Sequence, residues 1–153
     1  MRRGILLSLW LILGASGAFA GENASVLKVL PHCLDLKGRN TLSPSLFERD
    51  AYQARLKKHP EERSGLRFDV QWRVKSHPVG PLKLKIETRS ATTGQKTQSR
   101  TLEQTLTWKN GRSHWAAASI TATDYDQFGE LTAWRATLWD GETPVAESKS
   151  FLW

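Results

Sequence analysis

The chain has 153 residues and a formal net charge of +7, a length that allows one domain of ordinary size. Its basic residues are spread along the sequence, which favours a solvated cationic surface and argues against a nucleic-acid partner. The single cysteine, Cys33, excludes an intramolecular disulfide, so an apolar core must hold the domain together, and we expect Cys33 to be a small buried hydrophobe.

Residues 1–20 are predicted to be a secretory signal peptide. Two arginines precede an apolar run over 5–13, and small residues end in an A-x-A cleavage site at 18–20. An uncleaved anchor is the alternative, but a spanning helix needs about 20 apolar residues. We therefore expect an exported protein, periplasmic or secreted, that contacts the membrane only transiently through this leader.

Residues 21–63 are predicted to contain one strand and one short helix that pack on the main sandwich. The pattern over 24–30 predicts the strand, which Pro31 interrupts. Ser45 and Glu48 have the spacing of a capping box, which predicts a helix over about 45–57. The expected apolar face of this helix comprises Leu46, Phe47, Ala51, Tyr52 and Ala54.

Residues 64–153 are predicted to form the sandwich core, in one domain with 21–63. Strict alternation of apolar and polar residues predicts half-buried strands over 66–75 and 82–87. A further strand follows near 102–108, and Asn110-Gly111 predicts a hairpin to the next. The chain continues with a strand over 115–122, an acidic corner at 124–126 and a closing hairpin that pairs 131–139 with 145–153. About seven strands with turn signals between them predict an all-β antiparallel sandwich.

Seven strands, a tyrosine at the corner before the sixth, and the closing hairpin LTAWRATLWDGETPVAESKSF resemble an immunoglobulin-like or fibronectin-III-like sandwich. The resemblance covers about residues 64–153 and is one of pattern alone. The paired cysteines of the family are missing, and the helix near 45–57 is an addition. The resemblance implies an architecture and no particular activity, because this fold supports adhesion, sugar binding and scaffolding.

No catalytic residue, metal site or cofactor is predicted. The sequence lacks a G-x-S-x-G elbow, an H-E-x-x-H motif and a glycine-rich phosphate loop. His32 and Cys33 are neighbours on a strand and should point to opposite faces, which disfavours a shared metal ion. The acidic residues at 124–130 fit turns better than a hydrolytic carboxylate pair. We therefore expect a protein that is not an enzyme.

Tryptophan is the unusual feature, with seven in the chain. Trp72 falls on the core side of a predicted strand, whereas Trp134 and Trp139 differ in parity and should point to opposite faces. Exposed indoles beside polar groups bind sugars or partner proteins. The candidate ligand-binding residues are Trp139, Trp153, Trp115 and Arg135. Packing of these indoles in the core or at a sheet edge is the alternative.

The sequence thus predicts an exported, non-enzymatic β-sandwich that binds or scaffolds a protein or glycan of the cell envelope. The alternative function is a carbohydrate-binding module that uses the exposed tryptophans. A third reading, a small outer-membrane barrel, is suggested by the aromatic ending at 151–153. The charged helical segment and the weak apolarity of 96–107 disfavour it.

Overall fold

The structure, a computed structural model, describes residues 23–91, 97–110 and 112–153. The strands are β1 (Ala24–Asp35), β2 (Arg63–Val74), β3 (Leu82–Ala91), β4 (Gln98–Leu106), β5 (His114–Thr121), β6 (Glu130–Asp140) and β7 (Thr143–Lys149). The helices are α1 (Leu46–Lys58) and α2 (Ala122–Phe128), with a short 3-10 helix at Pro60–Glu62. The predicted signal peptide, 1–20, lies outside the described residues.

The seven strands form two antiparallel sheets, in the orders β1-β2-β5 and β4-β3-β6-β7. This confirms the predicted all-β architecture of two antiparallel sheets. Among the described residues no helix has both the length and the apolar character needed to cross a membrane.

The core lies between the two sheets, as the alternation in β2 and β3 predicts. The inward-facing side chains of these strands are all buried: Leu66, Phe68, Val70, Trp72, Val74, Leu82, Leu84 and Ile86. Residues of β6 and Phe128 of α2 complete the same apolar cluster. Burial of this surface is the main term that stabilises the fold, since no disulfide contributes.

The predicted break at Pro31 is wrong, because β1 continues through it to Asp35. β1 is an edge strand, and an edge strand accepts a proline whose nitrogen faces away from its neighbour. The N–H and C=O of Cys33, two residues on, bond a helix side chain instead of β2. By strand alternation the nitrogen of Pro31 faces the same free side.

Helix α1 begins at the predicted cap, where the Ser45 Oγ accepts a hydrogen bond from the Glu48 N–H at 3.5 Å. Its placement against the sheet differs from the prediction. Leu46 and Phe47, expected on the apolar face, are 65% and 82% exposed. The buried residues are Gln53 and Leu56.

Gln53 is buried because its amide completes the free edge of β1. Its Oε1 accepts a hydrogen bond from the Cys33 N–H at 2.7 Å, and its Nε2 donates to the Cys33 carbonyl at 2.9 Å. The same Nε2 donates to the Asn40 carbonyl at 2.7 Å. One side chain thus takes the place of a neighbouring strand and covers an edge that would otherwise be open to pairing.

Two local predictions between β4 and β6 are wrong. Asn110-Gly111 predicts a hairpin, but β4 and β5 belong to different sheets, so the chain crosses from one sheet to the other. The predicted acidic corner is helix α2, so the described residues contain two α-helices and not the expected one. The helix ends at Gly129, whose φ of 83° is a backbone conformation that glycine adopts easily.

Arg63 joins α1 to the sandwich through hydrogen bonds and an ion pair. Its buried guanidinium donates from Nε to the Leu56 carbonyl at 2.6 Å and from Nη2 to the Lys57 carbonyl at 2.7 Å. These carbonyls lie in the last turn of α1, where helix carbonyls lack partners. Nη1 pairs with Glu130 of β6 at 2.8 Å.

Candidate binding surface

Two of the predicted site residues share the outer face of the four-stranded sheet. Ala136 and Leu138 of β6 are buried in the core, so Arg135 and Trp139 point to the opposite face. Lys83 of β3 lies opposite Trp139 in the register of the sheet.

Trp153 reaches this face from a turn. The predicted strand over 145–153 stops at Lys149, and residues 150–153 fold back. Ser150 fixes the turn: its N–H donates to the Trp134 carbonyl at 2.9 Å, and its Oγ accepts from the Trp134 N–H at 3.0 Å. The turn is closed by a hydrogen bond of 3.2 Å from the Trp153 N–H to the Ser150 carbonyl.

The Trp153 indole lies against two guanidinium groups. The Arg89 Cζ is 4.0 Å from the ring centroid, and the Arg135 Cζ is 4.8 Å from it. Both distances are in the range of cation–π attraction, which holds the ring flat on the sheet. The sequence alone pointed to Arg135 and Trp153 but not to Arg89.

Arg135 sits in a group of like charges. Its Nε and Nη2 donate to the Glu87 carboxylate at 2.8 Å and 2.6 Å. Lys149 of β7 lies directly opposite Arg135, and adjacent like charges destabilise a sheet. We call Arg89, Arg135 and Lys149 the basic cluster. Glu87 is the carboxylate beside it, so the cluster keeps an excess of positive charge.

Trp139 lies at the other end of the face, in a shallow groove. The groove is lined by Trp139, Lys83, Lys85, Glu103, Gly141 and Glu142. The Nε1 of Trp139 is buried and has no acceptor among the described residues. A buried N–H without a partner carries a desolvation cost.

An aromatic ring therefore stands at each end of a polar strip. Arg135 and Trp139 are four residues apart on β6, which is about 13 Å in an extended strand. Glu87 and Lys85 of β3 face the stretch between them. We call Trp139, Arg135 and Trp153, with Lys83, Lys85 and Glu87, the outer-sheet surface.

Trp115 does not join this surface. It lies on β5 opposite Gln71, on the outer face of the other sheet, and is 53% exposed. The two outer faces are separated by the whole thickness of the sandwich, and sheet-to-sheet packing alone takes about 10 Å. The structure thus brings Trp139, Trp153 and Arg135 together and leaves Trp115 apart.

A second polar cluster, missed by the sequence reasoning, surrounds Asp35 at the end of β1. Its carboxylate accepts hydrogen bonds from the Tyr52 hydroxyl at 2.7 Å and from the Arg39 Nε at 2.9 Å, besides the N–H groups of Lys37 and Arg39. Burial by itself would raise the pKa of Asp35, but these bonds outweigh it and hold the pKa well below its ordinary value. This cluster closes the turn after β1 and joins α1 to β1, so it stabilises the fold.

Cys33 and a cluster of His59 with two glutamates are the remaining groups that could carry chemistry among the described residues. Cys33 is buried and free, and burial raises the pKa of its thiol, as befits an inert core residue. His59, Glu61 and Glu62 bring ligand atoms within 4.8 Å of one another. Arg55 already pairs with Glu62 at 2.8 Å, and His59 bonds Glu61 at 3.0 Å. The absence of a metal site stays a prediction.

No family model, characterised protein or solved structure matches this chain. Its function therefore has to be argued from the surface itself.

Proposed function

We propose that this chain is an exported, non-enzymatic binding module that holds a protein or glycan of the cell envelope on its outer-sheet surface. The observation that supports it is the alignment of Trp139, Arg135 and Trp153 on one open sheet face. Helix α1 packs on β1 and α2 packs mainly on β2 and β5, so neither helix covers that face.

The sandwich is of immunoglobulin-like or fibronectin-III-like topology in this proposal. In that family the third, sixth and seventh strands share a sheet, and some members add a further strand beside the third. The order β4-β3-β6-β7 follows the same scheme. Tyr125, between β5 and β6, packs against the core near the position of the family's corner tyrosine. Such sandwiches commonly expose one sheet face for recognition.

A glycan is the ligand class that the surface favours. Flat indoles stack on sugar rings, and the strip offers donors, from Lys83 beside Trp139 and from Lys85, and acceptors, from Glu87. This is the carbohydrate-binding alternative, now tied to specific atoms.

Affinity electrophoresis through gels that contain single envelope or plant polysaccharides tests the glycan. We expect one polysaccharide to retard the protein and Trp139→Ala to abolish the retardation. Trp115→Ala is the matched control, because it removes an exposed indole from the other sheet and should migrate as the wild type does. Equal retardation of both variants would place the site elsewhere.

Export is tested separately. When the full sequence is expressed in a bacterial host, the protein should leave the cytoplasm and its first residue should be Gly21 by N-terminal sequencing. A cytoplasmic product that retains Met1 would refute export and with it the envelope ligand.

A further inference from the structure

The turn at 150–153 displays two large apolar side chains. Phe151 is 99% exposed and Leu152 is 69% exposed. They are the central residues of a turn closed by the hydrogen bond from Trp153 to Ser150. Such positions usually carry Gly, Pro, Asn, Asp or Ser, for reasons of backbone geometry and local hydrogen bonding. An adjacent Phe and Leu there need another explanation.

This turn is held in place on both sides. Ser150 is bonded twice to the backbone of Trp134, and the Trp153 ring lies on Arg89 and Arg135. Phe151 and Leu152 are therefore exposed at the tip of a turn that is hydrogen-bonded to β6 and packed on two arginines. Single exposed apolar residues are ordinary, but two at the tip of a fixed turn form an apolar protrusion.

Basic side chains lie beside the protrusion. Lys149 precedes it in the chain, and the other members of the basic cluster lie beneath Trp153. Glu87 bonds Arg135 and also lies 3.9 Å from Lys85, so its charge is shared. Within the described part of the chain, Arg89 and Lys149 form no ion pair. An apolar tip with two such cations, Arg89 and Lys149, beside it is complementary to a surface with anionic groups outside and an apolar interior.

We propose that this turn is a docking site for an anionic lipid surface. Phe151 and Leu152 insert at the boundary between headgroups and acyl chains, while the exposed Lys149 and Arg89 contact lipid phosphates. Trp153 lies between the two layers, where amphipathic indoles are enriched. The cations beside the tip favour an anionic bilayer over an apolar protein pocket as the occupant. This contact goes beyond the transient one predicted for the leader, and it does not rest on the proposed function.

Vesicle flotation of the exported, processed protein tests the proposal. We expect it to float with phosphatidylglycerol vesicles and not with phosphatidylcholine vesicles, and to dissociate at about 1 M salt, where the Debye length is about 3 Å. The double variant Phe151→Ser/Leu152→Ser should lose at least about tenfold in partitioning, because two buried apolar side chains are removed. Val79→Ser is the matched control, since Val79 is 100% exposed in the β2–β3 loop, and it should float as the wild type does.

Two results would overturn the proposal. One is a wild-type protein that does not float with the anionic vesicles, which would also be the outcome if the tip served a protein partner. The other is equal flotation of the wild type and the double variant, which would mean attraction through overall charge alone. Unchanged thermal unfolding of the double variant shows that its fold is intact. Glycan retardation by Trp139 is measured independently, so failure of one proposal is distinguishable from failure of the other.

Discussion

Gln53 provides the sharpest test of how this sandwich protects an edge. The substitution Gln53→Glu keeps the size and shape of the side chain but replaces the Nε2 donor by an oxygen. The two carbonyls that Nε2 serves, those of Cys33 and Asn40, then face a carboxylate. Two lost hydrogen bonds account for about 1 kcal/mol each, and an uncompensated buried charge adds more, so we expect a loss of about 3–5 kcal/mol at neutral pH.

The effect of Gln53→Glu should depend on pH. Burial beside two carbonyls places the native pKa of the new carboxyl above its unfolded value of about 4.3. The destabilisation is therefore complete above the native pKa and shrinks as the pH falls toward the unfolded pKa. Gln53→Met is the control, because it removes these two hydrogen bonds and the one from the Cys33 N–H without adding a charge, and it should cost about 2–3 kcal/mol at every pH.

Urea unfolding at pH 7 and at about pH 4.5, followed by the fluorescence of the buried tryptophans, measures both effects. The comparison is always between variant and wild type at one pH, so the general acid sensitivity of the protein cancels. A free energy of unfolding of Gln53→Glu within about 1 kcal/mol of the wild type at pH 7 would contradict the assigned role of the Gln53 amide. So would a difference between variant and wild type that does not change with pH.

Three further predictions concern stability. Arg63→Lys should lower the free energy of unfolding in urea by about 1–3 kcal/mol, because an ammonium group cannot bond the two α1 carbonyls and a carboxylate in the same geometry. Glu130→Gln, which removes only the exposed partner of Arg63, should lower it by less than about 1 kcal/mol. Equal losses in the two variants would contradict this assignment. Because the native pKa of Asp35 lies below its unfolded value of about 3.9, its contribution is complete at neutral pH and is lost as the pH falls below about 4. Asp35→Asn should therefore flatten the acid side of the stability curve, and an unchanged curve would refute the assignment. Gly80→Ala should lower the unfolding free energy by about 1–3 kcal/mol, because its new Cβ would lie 2.9 Å from the Cα of Gly141, and an unaffected midpoint would show that the two turns are not in contact.

Strict alternation made the central strands predictable. In β2 and β3 every second residue faces the core, so the sequence has to repeat with the period of the strand. The cap of α1 was predictable for a similar reason, because the Ser45 bond to the Glu48 N–H is made within four residues. Features determined by neighbouring residues can be found in the sequence.

The features that were missed depend on contacts between distant residues. Pro31 is tolerated because its nitrogen faces a free edge, a fact about the place of β1 in the sheet. The buried face of α1 escaped prediction because the helix covers that edge with the amide of Gln53, not a sheet face with apolar side chains. Asn110-Gly111 indicates a turn but cannot say that the next strand belongs to the other sheet.

In the candidate site, too, features set by neighbouring residues were predictable and features set by distant contacts were not. Strand parity places Arg135 and Trp139 on one face from the sequence alone. The position of Trp153 depends on the turn at 150–153, and its contact with Arg89 joins strands that are far apart in the chain. Trp115 resembles the other indoles in the sequence, and the assignment of β5 to the second sheet separates it from them.

Photocrosslinking in cells that export the chain tests the central claim most directly. A photoreactive amino acid replaces Lys83, beside Trp139 on the outer-sheet surface, or Gln71, beside Trp115 on the other sheet. We predict that the Lys83 position captures an envelope protein or glycan and that the Gln71 position does not. Equal capture at both positions, or capture at Gln71 alone, would contradict the assignment of the binding surface to the four-stranded sheet.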